Sequence, residues 1–368
     1  MHPVELDRYV IPTNALEDFI NVVVGWINSN LVGALIPGLQ RIGKTFAVEY
    51  FVANYRKWVG DSVGVVSTEV LFHKGGVSER AFWGDLLKSM KRPTKKRSPE
   101  ERRELFVGRL VEVGARCEKR KVIIFMDEAQ LLDDSLFKLL IGVHNELWHL
   151  YQIKCVWILV GQPELETLVS TFIAEGKRQI VARFMADTYV FQPLTDITDF
   201  KATVQCFDLH LHHPANGPSF TEHFAPMPWA AGYRLESDAD MIFGRIAQAR
   251  TDNGLPDGSG MTMQGFTTLM NHIFIHLLPN LKSGEQLNPD DIDQAIVATK
   301  ERLNKLSSNS HPDVRQACMT ITREKSRPTG LHADVHGAFG ALPGRFPRSW
   351  THVSRRSQQN ASRHPQIR

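Results

Sequence analysis

Between residues 14 and 196 the hydrophobic positions alternate between two patterns. Runs that are apolar throughout predict buried strands, at 31–36, 62–70, 122–126 and 155–160. Apolar residues at helical spacing predict the helices between them, at 14–29, 45–58, 78–90, 98–119, 133–150 and 164–174. Strands without a polar face, separated by helices, indicate a parallel sheet covered by helices on both faces. The sequence therefore predicts a doubly wound α/β core.

The pattern changes after Asp196, where the strand signals stop. A helix is predicted at 200–209, followed by a His-, Pro- and Gly-rich surface insertion near 210–235. Further helices are predicted at 237–251, 262–279 and 289–306. We therefore divide the chain into an α/β core (1–205), a small C-terminal helical lid (206–306) and a basic tail (307–368). The tail is rich in Ser, Arg, Pro and Gly without periodicity, and we expect it to be disordered.

Composition narrows the class of protein. No segment approaches the roughly 20 apolar residues of a membrane-spanning helix, and the N-terminus does not resemble a secretory signal. The four cysteines lie far apart, which indicates neither a zinc site nor a disulfide framework. We expect a soluble, cytoplasmic protein without a membrane partner. Of the net charge of +3, the tail contributes +7 and the rest of the chain −4, so nucleic-acid contacts in the body would need local basic patches.

A phosphate-binding motif follows the first predicted strand. Residues 38–45, GLQRIGKT, match G-x-x-x-x-G-K-[ST], and a predicted helix follows. In such a loop backbone N–H groups wrap phosphates, Lys44 reaches the β and γ oxygens, and the Thr45 hydroxyl binds Mg²⁺. The alternative is a glycine turn beside a surface lysine. The candidate nucleotide-binding residues are Gly38, Arg41, Ile42, Gly43, Lys44, Thr45 and Phe46.

The partner of this loop is a strand that ends in two acidic residues. Residues 121–128, KVIIFMDE, place Asp127 and Glu128 at the end of an apolar strand. Asp127 is the candidate metal residue beside Thr45, and Glu128 is the candidate base that polarises the water attacking the γ-phosphate. The two motifs together disfavour a simple acidic turn, and they predict an ATPase that uses ATP and Mg²⁺.

Polar residues farther along complete the candidate catalytic set. Gln162 ends the next strand, where it could sense the γ-phosphate or simply begin a helix. Arg178 and Arg183 follow the next predicted helix. Either could neutralise transition-state charge in a neighbouring subunit, and either could be a solvated helix charge.

A basic cluster between two predicted helices is the candidate DNA-binding surface. It consists of Lys91, Arg92, Lys95, Lys96 and Arg97, with Arg102 and Arg103 beyond. This density suits sequence-independent phosphate contact, although solvated loops are also often basic. The histidine-rich segment at 209–213 indicates a surface loop, since no acidic or cysteine ligand accompanies it.

The order of these motifs resembles a known family. GLQRIGKT, IIFMDEAQLL, WILVGQPEL, VARF and FQPLTDITDF look like the transposition AAA+ ATPases of the TnsC/TniB type, and more distantly Mu B and IstB. The resemblance covers about residues 8–210. It implies an AAA+ core with a helical lid, ATP contacts at Lys44 and Thr45, metal at Asp127, hydrolysis at Glu128, sensing at Gln162 and a trans-acting arginine at Arg183.

The resemblance also implies partners. In that family ATP-bound subunits assemble as rings or helical filaments on double-stranded DNA, and they connect a TniQ-like target-selection adaptor to a transposase. One departure concerns the lid, where many relatives carry a nucleotide-sensing arginine and this chain has Gly260-Met-Thr-Met-Gln-Gly265. Such a lid suits slow, regulatory hydrolysis in which the ATP state acts as a timer.

Two other functions share parts of these motifs. An ExeA-like secretion ATPase has the same DEAQ and GQPEL wording, but it adds a membrane helix and a cell-wall domain that are not visible here. A helicase-loader-like or STAND-like ATPase would act through protein partners alone.

Overall fold

The computed structural model describes residues 1–92, 97–253 and 261–308, with the backbone alone at 300–308. The strands are β1 Gly33–Pro37, β2 Gly64–Glu69, β3 Lys121–Asp127, β4 Lys154–Gly161 and β5 Asp187–Thr188. The α-helices are α1 Asn14–Asn28, α2 Lys44–Asn54, α3 Arg56–Val59, α4 Glu79–Ser89, α5 Pro99–Ala115, α6 Asp134–His149, α7 Glu164–Ala174, α8 Arg178–Phe184, α9 Ile197–Leu209, α10 Phe220–Phe224, α11 Pro226–Ala230, α12 Ala239–Asp252, α13 Met263–His272 and α14 Pro289–Ser308.

The five strands form one parallel sheet in the order β2-β3-β4-β1-β5. Leu35 of β1 lies opposite Leu159 of β4, and Ile124 of β3 lies opposite Trp157. Parallel strands place all their carboxyl ends at one edge, so the loops after β1, β3 and β4 meet there. The predicted α/β fold is confirmed.

Alternate residues of the central strands enter two different cores. On one face Ile124 and Trp157 pack in a cluster with side chains from α4 to α8. On the other face Ile123 and Phe125 pack in a cluster with side chains from α1 and α2. Because a strand turns successive side chains to opposite faces, the positions between the ends of β3 and β4 must be apolar on both faces. Helices cover both faces, as predicted.

Local capping sets where several helices begin. The Thr13 hydroxyl accepts a hydrogen bond from the Leu16 amide at 3.2 Å and starts α1. A capping box between Ser98 and Glu101 starts α5, and Asp196 caps α9. These side chains satisfy backbone N–H groups that have no partner within the helix.

The helices after β5 form a separate core. Phe200 and Phe207 of α9 pack with side chains from α12, α13 and α14. Val4 and Ile11 of the N-terminal segment enter the same cluster. The boundary we placed after residue 205 therefore divides a helix that packs as one unit with the lid.

The segment near 210–235 differs from its description as a surface insertion. It contains α10 and α11, and Phe220, Ala225 and Tyr233 are buried in the core of the lid. Its His, Pro and Gly residues shape the turns between these anchors. Composition alone indicated a loop, whereas the aromatic side chains hold the segment inside.

Two elements carried no strand or helix signal that we recognised. β5 is only two residues long and pairs with β1 through Ala34 and Leu35. The helix α8 precedes it. No helix among the described residues has the length and apolarity needed to cross a membrane. The expected disorder of the tail concerns residues that lie, from 309 onward, outside the described residues.

Candidate functional site

A cavity of about 700 Å³ lies at the carboxyl edge of the sheet. Its walls come from the loop after β1, the ends of β2, β3 and β4, the N-terminal segment and α13 of the lid. The volume falls within the roughly 300–1,000 Å³ that is usual for small-molecule sites. Residues 40–45 of the phosphate loop line this cavity together with Asp127, at the end of β3, and Glu128, which follows it.

The backbone of the phosphate loop adopts the left-handed conformation at two positions. Arg41 has φ of 61° and Gly43 has φ of 105°, which suits glycine at position 43 and is uncommon at position 41. At Gly38 an added Cβ would lie 2.8 Å from the Ile42 side chain and 3.0 Å from the Phe191 carbonyl oxygen. The glycines of the motif therefore allow a tightly curled loop before α2.

Lys44 is the buried cation of the loop, only 9 % exposed. Its ammonium donates hydrogen bonds of 2.6 Å to the carbonyl oxygens of Gly38 and Leu39. Burial lowers the pKa of Lys44, and the nearby carboxylates of Asp127 and Glu128 oppose that shift. A buried ammonium with three donors is suited to bind phosphate oxygens.

The candidate metal residues are in contact. The Thr45 hydroxyl donates a 2.7 Å hydrogen bond to Oδ2 of Asp127, and Oδ1 of Asp127 accepts from the Glu128 amide at 2.9 Å. A hydroxyl and a carboxylate are the hard oxygen ligands that Mg²⁺ prefers when substrate phosphates and water complete its shell. Among the described residues no group of three or more His, Cys, Asp or Glu side chains could hold a metal unaided. The donor set thus fits a metal that arrives with a nucleotide.

Two glutamines connect the acidic strand to the neighbouring strand and the loop. The Gln130 amide bridges the Glu128 carboxylate and the backbone of Gln162, and the Gln162 side chain accepts from Gln40 at 2.8 Å. Gln162 therefore lies beside the phosphate loop, where the sequence placed it.

The N-terminal segment and the lid close the other end of the cavity. The Tyr9 hydroxyl donates to Oδ1 of Asn271 at 2.7 Å, and the Asn271 amide donates to Asp7 at 2.9 Å. The lid residues that line the cavity are Met263, Gln264 and Thr267, so the described part of the lid places no arginine there.

The two candidate arginines lie apart from this cavity. Arg183 is half-buried, donates to Asn145 at 3.2 Å, and has a buried Nη1 without a partner among the described residues. Its carbonyl oxygen lies against Gly33, at the opposite end of β1 from the phosphate loop. Arg178 is exposed at the start of α8. Neither arginine lines the cavity of its own chain, so any role in hydrolysis would have to be at a neighbouring subunit.

The basic cluster is partly neutralised where the structure describes it. Arg92 forms a 3.1 Å ion pair with Glu112, and Arg103 pairs with Glu146. Lys91 is exposed and Arg97 is half-buried. Lys95 and Lys96 lie outside the described residues.

Several residues that line the cavity are not among the candidate site residues predicted from the sequence. They are Asp7, Tyr9, Ile11, Thr13, Gln40, Glu69, Gln192, Met263, Gln264 and Thr267. The N-terminal residues and the lid residues have no recognisable spacing relative to the motifs. Gln130 contacts Glu128 without lining the cavity, and it could have been predicted because it stands two residues after Glu128 in the sequence DEAQ.

Comparisons with known proteins agree with the fold. Residues 33–169 match the family model described as AAA domain, a segment that includes the phosphate loop, the acidic strand and Gln162. Together with the five-stranded parallel sheet, this gives the chain an AAA+ P-loop ATPase fold. No curated protein matches the sequence.

Solved structures show more distant similarity. The ORC2 protein of Aeropyrum pernix, in ADPNP-ADP complexes, is 13% identical with a TM-score of 0.46, and the match covers 81% of this chain and 71% of that chain. A Walker-type ATPase of Pyrococcus abyssi is 14% identical with a TM-score of 0.45, over 79% and 72%. Cdc6p from Pyrobaculum aerophilum is 15% identical with a TM-score of 0.40, over 71% and 68%. No conclusion about partners follows from similarities this low.

Proposed function

We propose that this chain is a nucleotide-controlled ATPase that assembles on double-stranded DNA and regulates transposition. The observation that carries the ATPase part is the single cavity in which the phosphate loop, the Thr45–Asp127 contact and Glu128 come together. Loop amides and Lys44 would bind the phosphates, and Thr45 and Asp127 are the residues that would hold Mg²⁺, whose charge would neutralise that of the phosphates.

Hydrolysis is assigned to Glu128 and Gln162. Glu128 lines the cavity directly after Asp127, where its carboxylate can accept a proton from a water that attacks the γ-phosphate. Gln162 accepts a hydrogen bond from Gln40 of the phosphate loop. Its assigned role is to sense the γ-phosphate. We expect slow ATP turnover. The described part of the lid places no arginine at the cavity, and the arginine proposed to act in trans reaches a site only after subunits assemble.

Assembly is assigned to contacts between copies of this chain. Arg183 lies away from its own cavity, and its buried Nη1 has no hydrogen-bond partner in the described part of the chain. It is proposed to complete the site of a neighbouring subunit, as Arg178 could do from the exposed start of the same helix. Whether the assembly closes as a ring or extends as a filament is left open in this proposal.

The DNA and transposition part is supported by the resemblance in motif order, and by the basic residues at 91–97. Single contacts from Lys91, Lys95, Lys96 and Arg97 would be weak. Repeated along an assembled polymer on one DNA duplex, they add up to useful avidity. A TniQ-like adaptor and a transposase are the proposed protein partners.

A gel-shift titration on random-sequence duplex DNA tests the proposal. With ATP and Mg²⁺ the wild type is expected to bind DNA with an affinity that falls as salt rises, since phosphate contacts release counterions. Lys44→Ala should not bind DNA, because without the phosphate-binding ammonium it cannot bind the ATP that assembly on DNA requires. If neither protein bound DNA, the proposed transposition function would be ruled out. An ATPase of the ExeA-like, loader-like or STAND-like kind would then be favoured.

The basic cluster is tested in the same assay. Reversing Lys95, Lys96 and Arg97 to Glu should weaken DNA binding while nucleotide binding stays intact. Reversing Lys57, Lys138 and Lys282, which lie elsewhere, changes the net charge equally and is the matched control. Equal losses in both triple variants would assign the effect to net charge and not to the cluster.

A further inference from the structure

We infer that Gln130 is a positioning residue for ATP hydrolysis, which fixes the Glu128 carboxylate relative to the Gln162 strand end. The inference rests on the proposed ATPase function. It adds a residue that the phosphate-loop and acidic-strand motifs do not contain.

The geometry places one amide between two strand ends. Nε2 of Gln130 donates a 2.6 Å hydrogen bond to Oε2 of Glu128, and Oε1 of Gln130 accepts from the Gln162 backbone amide at 3.1 Å. Gln130 lies on the short 3₁₀ turn Ala129–Leu131 that directly follows Glu128. The ends of β3 and β4 are thus joined by a single side chain.

Chemistry leaves one orientation for this amide. A carboxylate accepts hydrogen bonds, and the Gln162 backbone N–H can only donate one. Reversing the amide would place acceptor against acceptor and donor against donor. Gln130 therefore orients Glu128 in a defined direction and does not merely fill space.

The neighbouring glycine is shaped to admit this side chain. A Cβ added to Gly161 would lie 2.2 Å from Oε1 of Gln130, closer than real contacts allow. Gly161 also accepts a 3.2 Å hydrogen bond from the Gly38 amide through its carbonyl oxygen. The glutamine, the strand end and the phosphate loop are consequently packed against one another.

The backbone of Glu128 adopts an uncommon conformation. Glu128 has φ of 54°, in the left-handed region that a residue with a side chain rarely occupies. Glu128 directly follows the last residue of β3 and lines the cavity, whereas Gln130 does not line it. With Oε2 held by Gln130, Oε1 is left to meet the attacking water.

The test compares kcat and KM for ATP in two substitutions of Gln130. Gln130→Met keeps the length and removes both hydrogen bonds. Gln130→Glu keeps an acceptor for the Gln162 amide but replaces the donor facing Glu128 with a repelling carboxylate. Both are expected to lower kcat roughly 10- to 100-fold, the scale of a misplaced catalytic group, with a smaller change in KM.

A matched control lies in the lid. Gln205 donates a 2.7 Å hydrogen bond to Glu236, so Gln205→Met removes the same kind of contact far from the cavity. It should leave kcat unchanged. A purely structural role for Gln130 predicts that Gln130→Glu, which retains the Gln162 contact, keeps wild-type kcat, and that result would overturn the inference.

A double variant separates this inference from the proposed function. If Gln130 acts through Glu128, adding Gln130→Met to Glu128→Gln should cause no further loss of kcat. A further loss of tenfold or more would show that Gln130 acts by another route. If the wild type hydrolyses no ATP, or Glu128→Gln does not slow it, the proposed function itself fails.

Discussion

At the scale of single residues, backbone contacts with Gly33 determine the position of Arg183. The Arg183 carbonyl oxygen and the Phe184 backbone pack directly on Gly33, the first residue of β1. A Cβ at position 33 would lie 2.3 Å from that oxygen and 2.5 Å from Phe184 Cα. Gly33 is therefore required for α8 to approach the sheet and for Arg183 to take its position.

Gly33→Ala is predicted to destabilise the fold. Since the contact is with backbone and cannot be relieved by a rotamer change, we expect a loss of about 1–3 kcal/mol in the free energy of unfolding, the usual cost of overpacking. Urea denaturation monitored by circular dichroism measures it.

Gly244→Ala is the control for that substitution. Gly244 lies within α12, and a Cβ there meets nothing within 4 Å, so alanine should be neutral or gain up to about 1 kcal/mol from helix propensity. Equal stability of both alanine variants would contradict the close packing of α8 on β1.

The sequence predicts much of the residue-scale chemistry, because the phosphate loop and acidic strand have fixed spacings. Lys44, Thr45, Asp127, Glu128 and Gln162 all lie where their motifs place them. The left-handed backbone of Glu128 and the bridge through Gln130 depend on contacts between β3 and β4, and no local pattern encodes those.

At the scale of elements, the N-terminal segment is the part that the sequence pattern leaves undetermined. Its residues have no helical or strand period, yet His2 is buried among the lid aromatics. The His2 ring stacks on His223 with centroids 4.4 Å apart, and it meets His213 and Phe220 edge-on. Tertiary contacts made by single aromatic rings, and not periodicity, decide the path of such a segment. The same holds for the segment near 210–235.

The His2 anchor is predicted to weaken in acid. Burial, with further contributions from His223 and His213, lowers the pKa of His2 from 6.5 to about 3. Between those values the unfolded chain binds a proton at His2 that the folded chain does not, so the stability contributed by this anchor falls as pH drops from 6.5 toward 3.

His2→Phe tests this dependence, since phenylalanine keeps the ring and cannot titrate. Thermal unfolding between pH 7 and pH 4 should show a smaller loss of melting temperature in His2→Phe than in the wild type. Parallel pH profiles in the two proteins would contradict a neutral, buried His2.

At the scale of the whole molecule, the cavity lies where three parts of the chain meet. The phosphate loop belongs to the α/β core, Gln264 to the lid, and Tyr9 to the N-terminal segment that packs on that lid. The backbone N–H of Gln264 donates a hydrogen bond to the Arg41 carbonyl oxygen at 3.4 Å, which links the lid to the phosphate loop. Because all three parts line the cavity, we expect the ATP state to change how core and lid present their surfaces to another copy.

In the proposed function, ATP bound at this cavity controls assembly of the chain on DNA. Sedimentation velocity of Glu128→Gln with duplex DNA, in the presence and absence of ATP and Mg²⁺, tests it most directly, because ATP binding is retained while water activation is lost. Lys44→Ala is the matched control, and it should stay monomeric in all conditions. Glu128→Gln is expected to shift to DNA-bound multimers when ATP is added. A variant that binds ATP but remains monomeric with DNA present would contradict it.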